Sequence, residues 1–232
     1  MDAKNPKTPR IPPVSEFISY MESIVFINAL IYKFNYRLIK YMLFEGFQGT
    51  KYLTADNWFK IVPIPSGPIR YLEIGTFYGG NLFSVGTTYA AHPDSRMVCI
   101  DPWFDYDEYT EYKKEQFKIY DTFQRNLEAS GQKNKITVMR GCSHTEVIKL
   151  EDNSFDIIYI DGNHASEYVC EDAVLAFRKL KVGGTLIFDD YWHGGDDDMV
   201  KCGVDSFRHA YRNRLSPHQV HFTTQLFLTK IC

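Results

Sequence analysis

From Ile69 onward the chain alternates between short apolar runs and longer segments with apolar positions at helical spacing. The runs are "IRYLEI", "RMVCI", "KITVMR", "FDIIYI" and "TLIFDD", and "HQVHFTT" and "QLFLTKI" form a closing pair. Between them the pattern predicts helices to Ala91, to about Ser130, over "ASEYVCEDAVLAFRKL" and over residues 198–213. Val169, Ala173, Leu175, Ala176 and Leu180 supply one face of the third helix, and Gly183-Gly184 read as its stop. Strands alternating with helices predict an α/β fold with a mostly parallel sheet wrapped on both faces. Such sheets bind ligands at the carboxyl ends of their strands. The polar residues at those ends are Glu73, Asp101, Asp161, Asp189 and Asp190.

The first third of the chain has a different pattern. Residues 1–14 are polar and Pro-rich, and they read as a flexible N-terminus. Residues 15–65 read as a helical segment, with Phe17, Met21, Ile24, Ile27, Ile31, Phe34, Leu38 and Tyr41 at helical spacing. Val25, Phe26, Leu30, Tyr32 and Tyr36 crowd the other faces, so the segment suits a buried helix, an oligomer contact or a lid. Its longest uncharged stretch, Ser23 to Tyr32, is half of the ~20 residues needed to span a bilayer. The breaker-rich "IVPIPSGPIR" places a boundary near residue 66, so that 66–232 forms the α/β domain.

Composition narrows the classes. A length of 232 residues suits one α/β domain with an added segment. The net charge of −3 lacks the basic footprint of a nucleic-acid binder. Cys99, Cys142, Cys170, Cys202 and Cys232 are odd in number and form no C-x-x-C pair. They read as reduced thiols of an intracellular, cytoplasmic protein. No early apolar stretch resembles a secretory signal.

Candidate chemistry begins at "YLEIGTFYGGN", a strand, an acid and a glycine turn opening a helix. The E-x-G-x-x-x-G-G spacing is not that of a dinucleotide turn, which disfavours an NAD-dependent oxidoreductase. Glu73 before Gly75 suits an ammonium group, and backbone N–H groups near Asn81 suit a carboxylate. Asp101, ending the second strand, suits ribose hydroxyls. An amino acid joined to a ribose describes S-adenosylmethionine.

Together, "YLEIGTFYGG", "VCIDPW", "RGCSHTEV" and "IIYIDGNHASEYVCEDAVLAFRKLKVGGTLIFDDY" resemble the class I S-adenosylmethionine-dependent methyltransferases. They look closest to the metal-dependent macrolide and sugar O-methyltransferases, and more distantly to catechol O-methyltransferase. The resemblance covers about residues 69–231 and none of the first 65. It implies a Rossmann-like seven-stranded sheet with an antiparallel last strand. It also implies cofactor contacts from Glu73, Gly75, Thr76, Phe77, Gly79, Asn81, Asp101 and Asp161, with Cys142, Ser143 and His144 at the adenine edge.

Asp161 and the Asp189-Asp190 pair end two strands that this fold makes neighbours. Three carboxylates at one edge repel unless a cation lies between them. An oxygen-only set suits Mg²⁺, and the resembled family binds a divalent metal with such acids. Asp161 also reads as the start of an Asp-Gly turn, and Asp189-Asp190 as the start of a loop. In the macrolide branch the histidine matching His164 is the proposed general base for an acceptor hydroxyl, and a helix-start residue is the plain alternative. His193 lies just past the metal pair, facing substrate or simply in a loop. Asp196, Asp197 and Asp198 suit a solvated helix start. Trp103, Phe104, Tyr106 and Tyr109 suit an adenine cover, an acceptor wall or plain packing.

These readings converge on a Mg²⁺-assisted O-methyltransferase of a small-molecule hydroxyl. A sugar or glycosylated metabolite is favoured over a catechol, because His164 stands where the catechol enzymes have lysine. The rivals are a diverged cofactor-binding relative with hydroxylase-like chemistry and a non-catalytic assembly protein on the same scaffold. Homo-oligomerisation through the N-terminal helices is expected, with no transmembrane segment.

Overall fold

The computed structural model describes residues 55–105, 112–192, 199–222 and 224–232. All of them belong to one compact unit spanning residues 43–232. The predicted flexible N-terminus (1–14), most of the helical segment 15–65, Tyr106, Tyr109, His193 and Asp196–Asp198 lie outside the described residues.

The alternating pattern becomes β1 (Arg70–Ile74), α1 (Gly80–Thr87), β2 (Arg96–Asp101), α2 (Gln116–Ala129) and β3 (Ile136–Arg140). It continues as α3 (Ser143–Glu146), β4 (Phe155–Ile160), α4 (Ser166–Lys179), β5 (Leu180–Phe188) and α5 (Met199–Tyr211), then β6 (Val220–Phe222) and β7 (Gln225–Thr229). The sheet order is β3-β2-β1-β4-β5-β7-β6. Six strands have five or more residues, and β6 is a three-residue edge. The first five run parallel, and β7 returns antiparallel to β5.

Period-two alternation divides the core between the two faces. Leu72, Ile74, Ile158, Ile160, Leu186 and Phe188 pack under α4 and α5. Tyr71, Cys99, Ile157, Tyr159, Ile187 and Phe227 pack under α1 and α2. This second layer includes a 3₁₀-helix at Ala55–Lys60, upstream of the boundary predicted near residue 66. Its Trp58 is fully buried among Tyr89, Tyr159 and Phe227, and its indole N–H donates to Gln225 Oε1 at 2.9 Å.

One local expectation is corrected. Gly183-Gly184 do not stop α4, which ends at Lys179 with Leu180 already extended. Instead they lie within β5, where the pairing with β4 jumps from Phe155–Leu180 to Ile157–Thr185. Gly183 takes φ +84° there, a left-handed conformation that side chains resist. The glycines are spent on an irregularity of a strand, a use that local sequence does not separate from a helix stop.

Candidate active site

The carboxyl ends of the strands are joined by backbone bonds that bring the candidate side chains together. Gly75 N–H donates to Ile100 O at 2.9 Å, Asp161 N–H to Ile74 O at 2.8 Å, and Asp189 N–H to Ile160 O at 3.0 Å. Gly141 N–H donates to Asp101 O at 3.1 Å. Above this edge opens a cleft of about 480 Å³.

On the β1 side the chain turns sharply into α1. Gly75 and Gly79 have φ +83° and +88°, and Phe77 has φ +52°. An added Cβ at Gly75 would lie 1.7 Å from the Asp161 carbonyl oxygen, so the two turns touch through bare backbone. Glu73 is buried beneath them. Its Oε2 accepts from the Tyr71 hydroxyl at 2.7 Å and from Asn81 Nδ2 at 3.0 Å. Asn81 Oδ1 is buried, belongs to a cleft-lining residue and has no partner, so an acceptor is left for a ligand donor. Asp101 Oδ2 accepts from the Thr76 and Phe77 N–H groups at 2.9 and 2.8 Å, and Oδ1 from Trp103 N–H at 2.9 Å. This acid therefore fixes the glycine turn to β2, a use its position alone did not reveal.

At the β4–β5 edge, ligating atoms of Asp161, His164 and Asp190 all lie within 4.8 Å of one another. His164 Nε2 is 3.8 Å from Asp161 Oδ1 and 3.5 Å from Asp190 Oδ2. Asp190 has φ +49°, an uncommon backbone state that ends β5 and turns its side chain to this group. Asp189, the first residue past β5, is not part of the group. It is buried, and neither oxygen makes a well-formed hydrogen bond. The neighbouring Tyr159 hydroxyl and Gln225 amide only partly offset that burial. Burial, and then the charge on Asp190, push Asp189 up to about 6. Burial and Asp189 likewise hold Asp161 well above the usual carboxylate range, with His164 pulling the other way. Acids that raise one another repel, and a cation between them would relieve that repulsion.

Comparison with known proteins identifies the scaffold. Residues 72–191, just over half of the chain, match the family described as a methyltransferase domain. The chain belongs to this family. The chain is 28% identical over 127 residues to an uncharacterized protein of Acanthamoeba polyphaga mimivirus. That match covers 53% of this chain and 52% of the viral protein, so the chain spans about half the length of this curated relative. Its fold is similar to that of the O-methyltransferase TomG from Streptomyces achromogenes, involved in tomaymycin synthesis and solved with S-adenosylmethionine. The identity there is 19%, with 70% of this chain and 73% of that one covered at a TM-score of 0.54. An O-methyltransferase from Bacillus cereus, solved with S-adenosylhomocysteine, is 17% identical over 70% of this chain and 74% of its own at a TM-score of 0.53.

Gly75, Thr76, Phe77, Asn81, Asp101, Cys142, Ser143, His144, Asp161, His164 and Asp190 line the cleft. Gly79 and Asp189 are not among the lining residues. Cys142 caps α3 and Ser143 and His144 open it, and all three share the cleft with Asp161 and its Gly162-Asn163 turn. Trp103 is buried against Tyr120 and Phe123, whereas Phe104 is half-exposed at the cleft. Sequence reasoning missed Tyr71, which holds Glu73, and Asp172, a buried acid of α4 on the cleft wall. Asp172 looked like an ordinary polar position of an amphipathic helix.

Glu73 gives the domain a pH dependence with a defined sign. Burial pushes its carboxyl up to about 7, against the pull of Tyr71 and Asn81. Between the ordinary value of ~4.3 and about 7, the folded state keeps a proton that the unfolded chain has lost. This contribution to stability is complete below that window and is lost as pH rises through it. Thermal melts of the ligand-free protein from pH 5 to 8 are expected to fall more steeply in wild type than in Glu73→Gln. Parallel curves would mean that Glu73 titrates like a solvated carboxyl.

Proposed function

We propose that the protein is an S-adenosylmethionine-dependent, Mg²⁺-assisted O-methyltransferase acting on a small-molecule hydroxyl, with a sugar or glycosylated metabolite as the favoured acceptor. The observation that carries this reading is the single cleft joining the Gly75–Asn81 turn to the Asp161–His164–Asp190 group. The cofactor's ammonium would meet Glu73 and the unpaired Asn81 Oδ1, and its carboxylate the N–H groups that open α1. Its ribose would lie toward Asp101 and its base beside Cys142, Ser143 and His144. Bound so, it supplies a methyl group activated by a sulfonium. Asp161 and Asp190, with the orphaned oxygens of Asp189 behind them, would hold the divalent cation. Such an ion lowers the pKa of a hydroxyl in contact with it by several units.

The chain's own part is binding, alignment and one proton. His164 Nε2, beside both Asp161 and Asp190, is placed to take the acceptor's proton, and the carboxylates stabilise the imidazolium that results. The Asp161–Gly75 backbone contact fixes the distance between the acceptor edge and the donor turn, so much of the rate comes from alignment. Phe77, Tyr78 and Tyr112 form an aromatic wall on the donor side, with ring centroids 4.1 and 5.3 Å from Phe77. Preference for a sugar hydroxyl rests on His164 at the base position.

The test is a thermal shift with S-adenosylhomocysteine, in excess Mg²⁺ and again in EDTA. At about 100 times the dissociation constant the nucleoside stabilises by ~2.7 kcal/mol, a melting shift of about 5–10 °C for a chain of this size. Lower stability in EDTA supports the cation site. No shift with saturating nucleoside would remove the cofactor reading. With an acceptor in hand, mass spectrometry of the product distinguishes gain of a methyl group from gain of an oxygen.

A further inference from the structure

The strand-end acids adjoin a buried polar layer that the chemistry just described does not use. In the antiparallel β5–β7 pair Phe188 faces Leu226, and the next position places Asp189 against Gln225, the first residue of β7. Cross-strand neighbours of this kind carry their side chains on one face, about 5 Å apart. Both are buried, and Trp58 and Tyr159 are fully buried with them, their rings 5.5 Å apart. The Trp58 indole can only donate, so its 2.9 Å bond to Gln225 Oε1 decides which way the amide lies. Gln225 Nε2 is thereby sent to the other side, where the amide acts on Asp189. Nε2 has no well-formed acceptor and neither Asp189 oxygen a well-formed donor, so groups short of partners stand side by side. The Tyr159 hydroxyl has one O–H and two claimants. It donates to Asp161 Oδ2 at 3.4 Å and is also a hydrogen-bonding neighbour of Asp189.

We propose that Gln225, turned by Trp58, is the positioning residue of these acids: its amide serves Asp189 and leaves the Tyr159 hydroxyl to Asp161. This rests on the reading that Asp161 and Asp190, backed by Asp189, hold a divalent cation. Hydrogen bonds to a ligating carboxylate orient it, and their loss weakens the hold on the ion. Without the Gln225 amide, Asp189 competes with Asp161 for the one O–H of Tyr159, and both carboxylates lose their orientation. Asp161 lines the cleft, so the disturbance reaches the cation although Gln225 itself does not touch it. A residue that merely packs there would change stability alone.

The experiment follows the melting temperature of the full-length protein across a Mg²⁺ titration, with S-adenosylhomocysteine affinity measured by calorimetry in EDTA. Wild type is compared with Gln225→Met, Trp58→Phe and the double variant. Gln225→Met keeps the shape and loses the hydrogen bonds, and it is expected to raise the Mg²⁺ midpoint by about 10-fold or more, the usual cost of removing a ligand's partner. Nucleoside affinity should stay within about threefold. Trp58→Phe keeps a ring and loses the N–H, so its midpoint should move the same way. Added to Gln225→Met it should move the midpoint no further, because Trp58 acts through that amide. An unchanged midpoint in Gln225→Met overturns the proposal, as does equal weakening of Mg²⁺ and nucleoside. If Gln225→Met does not fold, an unchanged midpoint in Trp58→Phe overturns it. A wild type that does not respond to Mg²⁺ removes the cation reading itself, an outcome distinct from a responsive wild type whose variants share its midpoint.

Discussion

His164→Ala is expected to lower the rate of methyl transfer by about 10²- to 10⁴-fold, the usual contribution of a positioned general base. Binding of S-adenosylhomocysteine should stay within about threefold of wild type, because the proposed arrangement puts the imidazole toward the acceptor. The geometry supports a catalytic reading over the plain one. The helix-start alternative would have His164 cap α4, but the N-cap is Ala165, in extended conformation and without a side-chain bond. The ring instead stands beside two strand-end carboxylates. Single-turnover rates with a true acceptor, measured beside nucleoside affinity, test the assignment. Equal losses in both would mean that the residue shapes the pocket. An unchanged rate would pass the proton to another group, with the strand-end acids first in line.

Gly75→Ala is expected to be the most damaging single-methyl change in the domain, and two other glycines calibrate it. Gly67 has nothing within 4 Å of an added Cβ and no left-handed backbone, so its alanine variant should be within about 0.5 kcal/mol of wild type. Gly131 has open space but φ +67°, so Gly131→Ala should cost about 1–2 kcal/mol from backbone strain alone. Gly75 has φ +83° and a methyl position 1.7 Å from the Asp161 carbonyl oxygen. Two central turns must separate to admit it, so a loss above about 4 kcal/mol and loss of nucleoside binding are expected. Urea unfolding of the three variants gives the series. Equal costs at Gly75 and Gly131 would mean that the turns are not in contact.

Much of this architecture was legible because the strands bury both faces. Such runs are mostly apolar toward their carboxyl ends, so an acid there stands out. Glu73, Asp101, Asp161 and Asp189-Asp190 were found in that way, and all stand at the carboxyl edge. What each acid does there was less legible. Asp101 is committed largely to backbone N–H groups, since an acid after a strand serves a turn as readily as a ligand. Asp189 and Asp190 look equivalent in sequence, but the left-handed backbone at Asp190 turns its side chain to His164 while Asp189 stays buried. Asp172 was invisible, because helical periodicity does not separate a polar residue facing solvent from one facing a cavity. Trp58 lies upstream of a proline-rich linker, and its place in the core depends on contacts with Tyr89, Tyr159 and Phe227, far away in the chain.

The glycine turn and Asp161 hang from β1 and β4, and each of these strands is paired on both sides. Opening fluctuations of a sheet begin at its borders, here β3 and the short β6, and reach the middle last. The domain can therefore breathe at its rim while the separation between the proposed sites of methyl donor and nucleophile holds steady. Acceptor choice could drift over evolutionary time at the periphery without disturbing the alignment on which the transfer depends.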